Sequence, residues 1–298
     1  MSEPASPWKR RLLVAFFVLG PLGLLPYFLH EKPPNVPDRA AICQHPFCLA
    51  DMITIEAGSQ PLGAQSQDPE APGYDLEASD DEAPYRTVEI PTYGMDMHLV
   101  TVAEYRDCVE HCGCDEAAVG RGGFMNYGAP GREYHPMNGV SWHEASAYCA
   151  WIGARLPTEQ EWERAARGPA GQRFPWGDQP PVCHSRGDGT AHEACPHDGT
   201  RPVGDQVADS PFGIRGLGGG VWEWTRTPYG RDGAARVQKG GGWDSDDMME
   251  RRAAFRGGLL PEMRLADVGF RCACDQDRLS GPTSHARTAT SQCHSSSR

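Results

Sequence analysis

The chain has 298 residues, which is enough for one large domain with a sizeable core. Its net charge of -12 at pH 7 excludes nucleic acid and anionic lipid headgroups as natural partners, because both carry charge of the same sign. The 35 glycines and 26 prolines predict many loops and little regular structure.

An apolar run near the N-terminus, residues 12–29, carries no charged side chain and follows Lys9, Arg10 and Arg11. As a helix this run is about 27 Å long, close to the thickness of a bilayer core. Because a basic flank stays in the cytoplasm, we expect residues 1–11 inside and the rest of the chain outside, in the periplasm or the extracellular space. The length favours an uncleaved, single-pass signal anchor over a cleaved signal peptide.

Eleven cysteines indicate disulfides, because an exported chain meets an oxidising environment, and the odd number leaves at least one thiol over. Cys43 and Cys48 lie in a Pro-rich linker at 30–48 and are expected to pair. A second cluster is Cys108, Cys112 and Cys114. A bridge from the first of these to one of the other two is favoured, and a soft metal site is the alternative.

Two strands are predicted before the first helix. Residues 51–64 alternate apolar and polar side chains and then turn, and residues 85–90 alternate again. The acidic, Gly- and Pro-rich segment 65–82 between them predicts a surface loop.

Three helices are predicted from capping boxes, in which Ser or Thr is followed three residues later by Glu. The boxes are Thr101–Glu104, Ser141–Glu144 and Thr158–Glu161. Gly168 ends the third helix. Beyond it the sequence predicts a succession of turns with few periodic segments, and residues 276–298 predict a disordered polar tail.

Four sequence blocks follow one another along the chain: residues 139–168, VWEWT at 221–225, KGGGW at 239–243 and VGFRCA at 268–273. Together they resemble the sulfatase-modifying factor, or formylglycine-generating enzyme, family over residues 49–275. The resemblance implies an α+β fold that is irregular, loop-rich and disulfide-tied, a divergent relative of the C-type lectin fold. It also implies a copper-dependent oxidase that converts a cysteine in a Cys-x-Pro-x-Arg substrate to formylglycine.

The two catalytic cysteines implied by the resemblance are missing. They should lie five residues apart after the glycine turn, where two thiolates bind Cu(I). Counting from Gly240 places Ser245 and Glu250 at these positions, and a hydroxyl and a carboxylate are hard ligands that do not hold Cu(I). No cysteine lies between Cys195 and Cys272. We therefore assign no catalytic residue, and the sequence leaves open whether the chain is an enzyme.

The calcium sites implied by the resemblance are expected to be lost as well. One maps to Gly216–Gly220, which offers no side-chain ligand. The other maps near 183–199, where Cys195 falls on an expected Asp, so a Cys183–Cys195 disulfide is expected in place of the metal. Neither copper nor calcium is therefore predicted as a cofactor.

An acidic stretch follows the glycine turn. Its carboxylates are Asp244, Asp246, Asp247 and Glu250. A hard-cation site is conceivable. Since the spacing matches no calcium loop, a solvated loop with Arg251 and Arg252 as counter-ions is favoured.

The resemblance assigns two further features. The family joins the positions of Cys149 and Cys272 by a disulfide, and we carry that pair over. It places Trp222, Trp243 and Arg271 around the substrate channel, which makes them candidate groove residues. The alternative is that Trp243 and Arg271 only close the core, with Arg271 bonding loop carbonyls. Trp224, in the same block as Trp222, is expected to be a core residue.

Three isolated histidines, His135, His143 and His184, are expected to have surface or capping roles. With the chemistry lost and the groove kept, the sequence predicts a membrane-anchored, extracytoplasmic binding or assembly protein. Its peptide, protein or small-molecule partner is not identified by the sequence. The alternatives are a metal-dependent oxidase that uses other residues and a structural component of the envelope.

Overall fold

The computed structural model describes residues 52–116, 119–180, 199–205 and 210–279. The predicted signal anchor, the linker cysteines, the Cys183–Cys195 pair and His184 lie outside these residues. Within the described ranges, no helix is long and apolar enough to cross a bilayer.

The described helices are α1 at Val102–Glu110, α2 at Trp142–Trp151, α3 at Glu159–Arg167 and the short α4 at Gln276–Leu279. The described strands are β1 at Met52–Ile55, β2 at Gly58–Leu62, β3 at Arg86–Ile90, β4 at Tyr93–Asp96, β5 at Trp222–Tyr229, β6 at Ala235–Lys239, β7 at Gly257–Leu259, β8 at Val268–Gly269 and β9 at Ala273–Asp275. The mixed, irregular α+β architecture expected from the resemblance is confirmed. The polar tail predicted at 276–298 begins with a helical turn rather than with disorder.

All three capping boxes are confirmed. In α2, for example, Ser141 Oγ accepts the N–H of Glu144 at 3.3 Å, and Glu144 Oε2 accepts the N–H of Ser141 at 2.7 Å. Two of the backbone donors that a helix start leaves unsatisfied are thereby paired. Gly168 ends α3 with φ of 62°, a conformation that favours glycine.

Three sheets organise the described part of the chain. β4 lies between β1 and β9 and pairs antiparallel with both, so segments near the two ends of the domain share one sheet. β2 and β3 form an antiparallel pair. The third sheet has the order β7-β6-β5-β8, with β5 and β8 parallel.

Two sequence predictions about strands were wrong. The segment after β1 forms β2 instead of a turn, and the region beyond Gly168 contains a four-stranded sheet instead of mostly turns. Neither β2, with Gly58 and Pro61, nor the short β7 and β8 has the periodicity of a strand. Their pairing partners, distant in sequence, decide their conformation.

The apolar core has two main parts. One surrounds Trp224 and packs α1 and α2 against β8, and the other surrounds Trp162 of α3 and packs it against β1 and β4. A disulfide joins Cys149 of α2 to Cys272 beside β9, with Cα atoms 5.6 Å apart. This is the pair that the resemblance implied.

The other described cysteines are also placed. Cys108 is bonded to Cys114, so that the bridge is formed rather than the alternative metal site, and Cys112 is disulfide-bonded too. Among the described cysteines, Cys274 is a free, buried thiol. Burial raises the pKa of Cys274 to about 11, so this thiol is protonated and unreactive at neutral pH.

Replacing Cys149 and Cys272 together by Ala should lower the free energy of unfolding by about 4–5 kcal/mol, because this bridge closes a long loop in the unfolded chain. The matched control, Cys108 and Cys114 both replaced by Ala, removes a bridge with a sequence separation of 6 instead of 123. It should cost about 2 kcal/mol. Urea unfolding followed by tryptophan fluorescence measures both losses, and equal losses would contradict the loop-closure argument.

Candidate functional site

The candidate site is built on the loop at 242–251, which follows β6 and contains the two positions where the resemblance expects cysteines. The loop is preceded by a turn at Gly240 and Gly241, whose φ angles are 98° and 75°. A Cβ atom at Gly240 would lie 3.0 Å from the carbonyl oxygen of Leu217, and one at Gly241 would lie 3.0 Å from Arg251. Glycine is therefore required at both positions by conformation and by space.

The side chain of Arg251 lies on the buried side of this loop and bonds its backbone. Its side chain is fully buried, and its guanidinium donates to the carbonyl oxygens of Gly242, Ser245 and Asp247 at 3.0–3.3 Å. Burial lowers the pKa of Arg251 to about 10, which leaves it charged at neutral pH. The loop is thus wrapped around a buried cation, so its shape does not depend on a bound metal.

The prediction that Arg251 and Arg252 are counter-ions of the acidic loop was wrong for Arg252, whereas the charged form of Arg251 is favoured by Glu250, Asp247 and Asp244. Arg251 bonds carbonyl oxygens of the loop, and Arg252 points away to Glu82, with two contacts of 2.7 Å, and to Asp75 at 3.3 Å. Both guanidiniums are buried, and the Nη atoms of each donate to acceptors inside the fold, whereas Nε of each is buried without a hydrogen-bond partner among the described residues.

Ser245 stabilises the same loop through two hydrogen bonds with Gly242. Its Oγ accepts the N–H of Gly242 at 3.1 Å, and the N–H of Ser245 donates to the carbonyl oxygen of Gly242 at 3.3 Å. Glu250 lies in a short 3₁₀ turn at Met248–Arg251. A hydroxyl already used in a backbone hydrogen bond, together with a carboxylate, does not fit Cu(I), which prefers soft thiolates.

The calcium site that the resemblance maps to Gly216–Gly220 lacks side-chain ligands, whereas the one near 183–199 lies almost entirely outside the described residues. In the segment Gly216–Gly220, the N–H of Gly219 donates to the carbonyl oxygen of Gly240 at 3.0 Å, and the segment offers no side-chain ligand. Within the described ranges, no three or more His, Cys, Asp and Glu side chains are grouped to hold a metal ion.

An aromatic pair lies beside the loop. Trp243 is 7% exposed and Phe124 is 59% exposed, and their ring centroids are 5.0 Å apart. Trp243 Nε1 donates to the carbonyl oxygen of Ala266 at 3.2 Å. Asn138 donates through Nδ2 to the carbonyl oxygens of Phe124 and Ala266, and thereby holds both rings in place. We call Phe124 and Trp243 the aromatic ledge.

A carboxylate cluster adjoins the aromatic ledge. A Cβ atom at Gly242 would lie 3.0 Å from an oxygen of Asp244 and 3.1 Å from an oxygen of Asp267, so the two carboxylates flank this glycine. Burial, Asp244 and Glu250 together raise the pKa of Asp267 to about 6. The cluster is consequently anionic at neutral pH and loses charge as the pH falls through 6.

Arg271 does not border a groove, so its place among the groove residues was wrong. It is fully buried, and Nε and Nη2 donate to Glu223 at 2.7 and 2.8 Å. The other donor positions reach the carbonyl oxygens of Asp96, Met97 and Arg215 at 2.9–3.2 Å. All the N–H donors of the guanidinium are therefore paired inside the protein. This agrees with the alternative in which Arg271 closes the core.

Trp222 and Trp243 lie in different packing environments. Trp222 is half-buried against Phe255, with ring centroids 5.9 Å apart, and against Gly257. Trp243, the buried ring of the aromatic ledge, packs with Leu99, Val203 and Val221. Trp224 is fully buried and donates to the carbonyl oxygen of Val140 at 3.0 Å, so its predicted core role is confirmed.

The histidines differ from one another. His143 is exposed on α2. His135 is buried, contrary to the expectation of a surface role, and its Nδ1 lies 2.9 Å from both Arg132 and Thr200 Oγ1. Burial and the Arg132 charge lower the pKa of His135 to about 4, so it is neutral and structural at physiological pH.

Sequence reasoning missed Phe124, Asn138 and Asp267. The only local signal for Phe124 is that it follows two glycines, which is typical of an exposed turn. The partners of Asn138 and Asp267 come from distant segments, so no spacing in the sequence could have identified them.

The family model and the similar proteins all indicate the same family. Residues 40–276 match the model of the "Sulfatase-modifying factor enzyme 1-like domain". The chain is 38% identical over 177 residues to the formylglycine-generating enzyme of Streptomyces coelicolor, covering 51% of this chain and 56% of the relative. It is 39% identical over 160 residues to the inactive C-alpha-formylglycine-generating enzyme 2 of Bos taurus, covering 49% and 52%. It therefore spans about half the length of these relatives.

The fold also matches a solved structure, PvdO from Pseudomonas aeruginosa. The TM-score is 0.56 and the sequence identity is 21%, with 74% of this chain and 93% of that chain covered. At this identity the match supports the fold and carries no argument about function.

Replacing Glu223 by Gln should lower the free energy of unfolding by about 3–5 kcal/mol, because it leaves the buried Arg271 charge uncompensated. The control is Asp275→Asn, which weakens the ion pair with Arg155 at a carboxylate that is 66% exposed. That pair is worth less than about 1 kcal/mol. Chemical unfolding measures both, and a similar small loss for the two variants would refute the structural role of Glu223.

Proposed function

This chain belongs to the family of sulfatase-modifying factor enzyme 1-like domains, and we propose that it is a non-catalytic member that binds a partner protein. The observation that carries the proposal is the state of the loop at 242–251. Ser245 is used to fasten a turn, Glu250 is a hard ligand, and Arg251 holds the loop without a metal. A relative named as inactive supports the idea that the family includes members without the chemistry.

The aromatic ledge and the carboxylate cluster are the proposed binding surface. An exposed ring lying on a buried one offers a firm apolar contact, which is typical of interface anchors. Carboxylates beside aromatic rings attract a Lys or Arg side chain through charge and through the ring faces. A partner with a basic side chain next to an apolar one therefore fits this surface, and it also complements the acidic chain as a whole.

Anchoring in a membrane by residues 12–29 is part of the proposal. It rests on the length of the apolar run and on the basic residues before it. The disulfides within the domain support an oxidising location, in the periplasm or the extracellular space.

We expect the purified full-length chain to leave the cysteine of a Cys-x-Pro-x-Arg peptide unchanged in the presence of Cu(I) and oxygen, because it lacks the thiolate pair. Mass spectrometry of the peptide measures the conversion. The formylglycine-generating enzyme of Streptomyces coelicolor is the positive control. Copper-dependent loss of the peptide thiol would favour the alternative, an oxidase that uses other residues.

We expect a photo-crosslinking aromatic residue at Phe124 to give a discrete protein adduct in native membranes, whereas the same residue at Leu76, which is 71% exposed, should not. The yield at Phe124 should fall as the pH drops below about 6, because protonation of Asp267 removes a negative charge that attracts a basic partner. The variant Asp267→Asn should give the low yield at every pH. Equal yields from Phe124 and Leu76 would refute the proposed surface.

We expect an alkaline phosphatase fusion after Pro37 to be active, and the chain to remain in the membrane fraction after alkaline extraction. Recovery of the mature chain in the soluble fraction with a new N-terminus near 38–41 would replace the signal anchor by a cleaved signal peptide. This experiment is independent of whether the domain has lost its chemistry.

A further inference from the structure

A cavity lies beside the C-terminal end of the loop at 242–251, where Arg173 contacts Met249. It is bounded by β2, by the segments 73–85 and 167–178, and by the side chain of Arg252. Its volume is about 350 Å³, within the lower part of the range of roughly 300–1,000 Å³ that is typical of small-molecule sites. Glycines form part of the wall: Gly63 and Gly171 have φ angles of 77° and 73°, and a Cβ atom at Gly73 would lie 2.1 Å from the ring of Tyr85.

Three arginines line this cavity, although the chain as a whole is strongly acidic. Each of the three nitrogens of Arg167 makes a hydrogen bond, since they donate to Glu163 at 2.8 Å and to the carbonyl oxygens of Gly63 and Gly171. Arg173 and Arg252 differ from Arg167, because each has one nitrogen that makes no hydrogen bond among the described residues.

Asp75 holds Arg173 and Arg252 side by side. Its Oδ2 atom accepts from Arg173 Nε at 2.8 Å and from Arg252 Nη1 at 3.3 Å, and its Oδ1 atom accepts from Arg173 Nη2 at 2.6 Å. The two guanidiniums are therefore fixed next to one another on the cavity wall by a carboxylate whose two oxygens are both already occupied.

The unused donors point to the kind of ligand. Among the described residues, Nη1 of Arg173 makes no hydrogen bond, and this side chain is 29% exposed. Nε of Arg252 also has no partner among them, but it is buried and offers no surface to the cavity. A buried donor without an acceptor costs about 1–3 kcal/mol, and more for a charged group. That cost at Arg252 is not relieved from the cavity. Nη1 of Arg173 is open to an acceptor brought by a ligand, because both oxygens of the neighbouring Asp75 are already occupied.

The aromatic walls indicate the rest of the ligand. Tyr74 is 39% exposed and Tyr85 is half-buried, and both line the cavity beside the arginines. A planar body fits against such rings, and a carboxylate matches the fork of a guanidinium. We propose that this cavity binds a small organic molecule through a carboxylate held by Nη1 of Arg173, with its planar body against Tyr74 and Tyr85.

Benzoate is the probe for this proposal, with benzamide as its uncharged counterpart and inorganic phosphate as an oxyanion without a ring. Saturation-transfer NMR and calorimetry on the purified full-length chain measure their affinities. We expect benzoate to bind with a Kd of about 1 mM and benzamide to bind at least about tenfold more weakly, because the amide lacks the charge that pairs with the arginines. Phosphate should compete with benzoate.

Two variants locate the binding. Arg173→Gln should weaken benzoate about tenfold, whereas Arg231→Gln, at an exposed arginine in the turn between β5 and β6, should have no effect. Tyr74→Leu should weaken benzoate but not phosphate, and it keeps the arginine pairs intact, so its result does not depend on how well the Arg173 variant folds.

Three outcomes would overturn the proposal. They are no saturable binding of benzoate, equal binding of benzoate and benzamide, or an unchanged benzoate affinity in both Arg173→Gln and Tyr74→Leu. Binding of phosphate without benzoate would reduce the cavity to an inorganic anion site and overturn the organic ligand. None of these outcomes bears on the proposed partner surface at Phe124, which lies elsewhere on the domain.

Discussion

The buried ion pair between Glu223 and Arg271 is the interaction on which the other parts of this domain depend. Glu223 lies in β5 and accepts from Trp162 of α3 at 2.8 Å as well as from Arg271. Arg271 in turn bonds carbonyl oxygens of the segments at 96–97 and 215. A charge in a protein interior is stabilised by such a set of partners. This one pair thus fixes the relative position of α3, of the strands β4 and β5, and of the loops that contain Arg215 and Arg271.

Other charges are also buried in the core, which has few long regular elements to supply apolar area, although Nζ of Lys239 and Nε of Arg252 have no hydrogen-bond partner in the described part of the chain. Lys239 is fully buried, with its Nζ atom 3.8 Å from carboxylate oxygens of both Glu159 and Glu163. Burial lowers its pKa, while Glu163 and Glu159 oppose this by favouring the charged form. Arg252 and Glu82 form another pair, buried on both sides. These ionic contacts and the disulfides tie loops that would otherwise carry a large conformational entropy.

The loop at 242–251 shows how this organisation bears on function. Arg251 supplies from inside the protein a positive charge that bonds carbonyl oxygens of the loop, and the Ser245 hydroxyl adds a hydrogen bond to the N–H of Gly242. The hydrogen bonds of Arg251 go to backbone carbonyl oxygens and do not involve the side chains at 245 and 250. The aromatic ledge of Phe124 and Trp243 has further support from Asn138, which belongs to a different segment and bonds the carbonyl oxygens of Phe124 and Ala266.

The sequence by itself determined the features that arise between close neighbours or from the residue types present. The three capping boxes are formed by residues three positions apart, so α1, α2 and α3 could be predicted with their start positions. The four sequence blocks were enough to indicate the family, and the thiolate pair could be excluded at Ser245 and Glu250 by reading two letters. Only the tertiary structure decided which side chains are accessible. Arg271 resembled a groove residue and is buried, because its acceptor Glu223 is 48 positions away, whereas Phe124 gave almost no signal and is exposed. The strands β7 and β8 are likewise defined by partners in β6 and β5, since two or three residues carry no periodicity of their own. A buried charge can be recognised only when its distant partners are known, and only the fold brings those partners together.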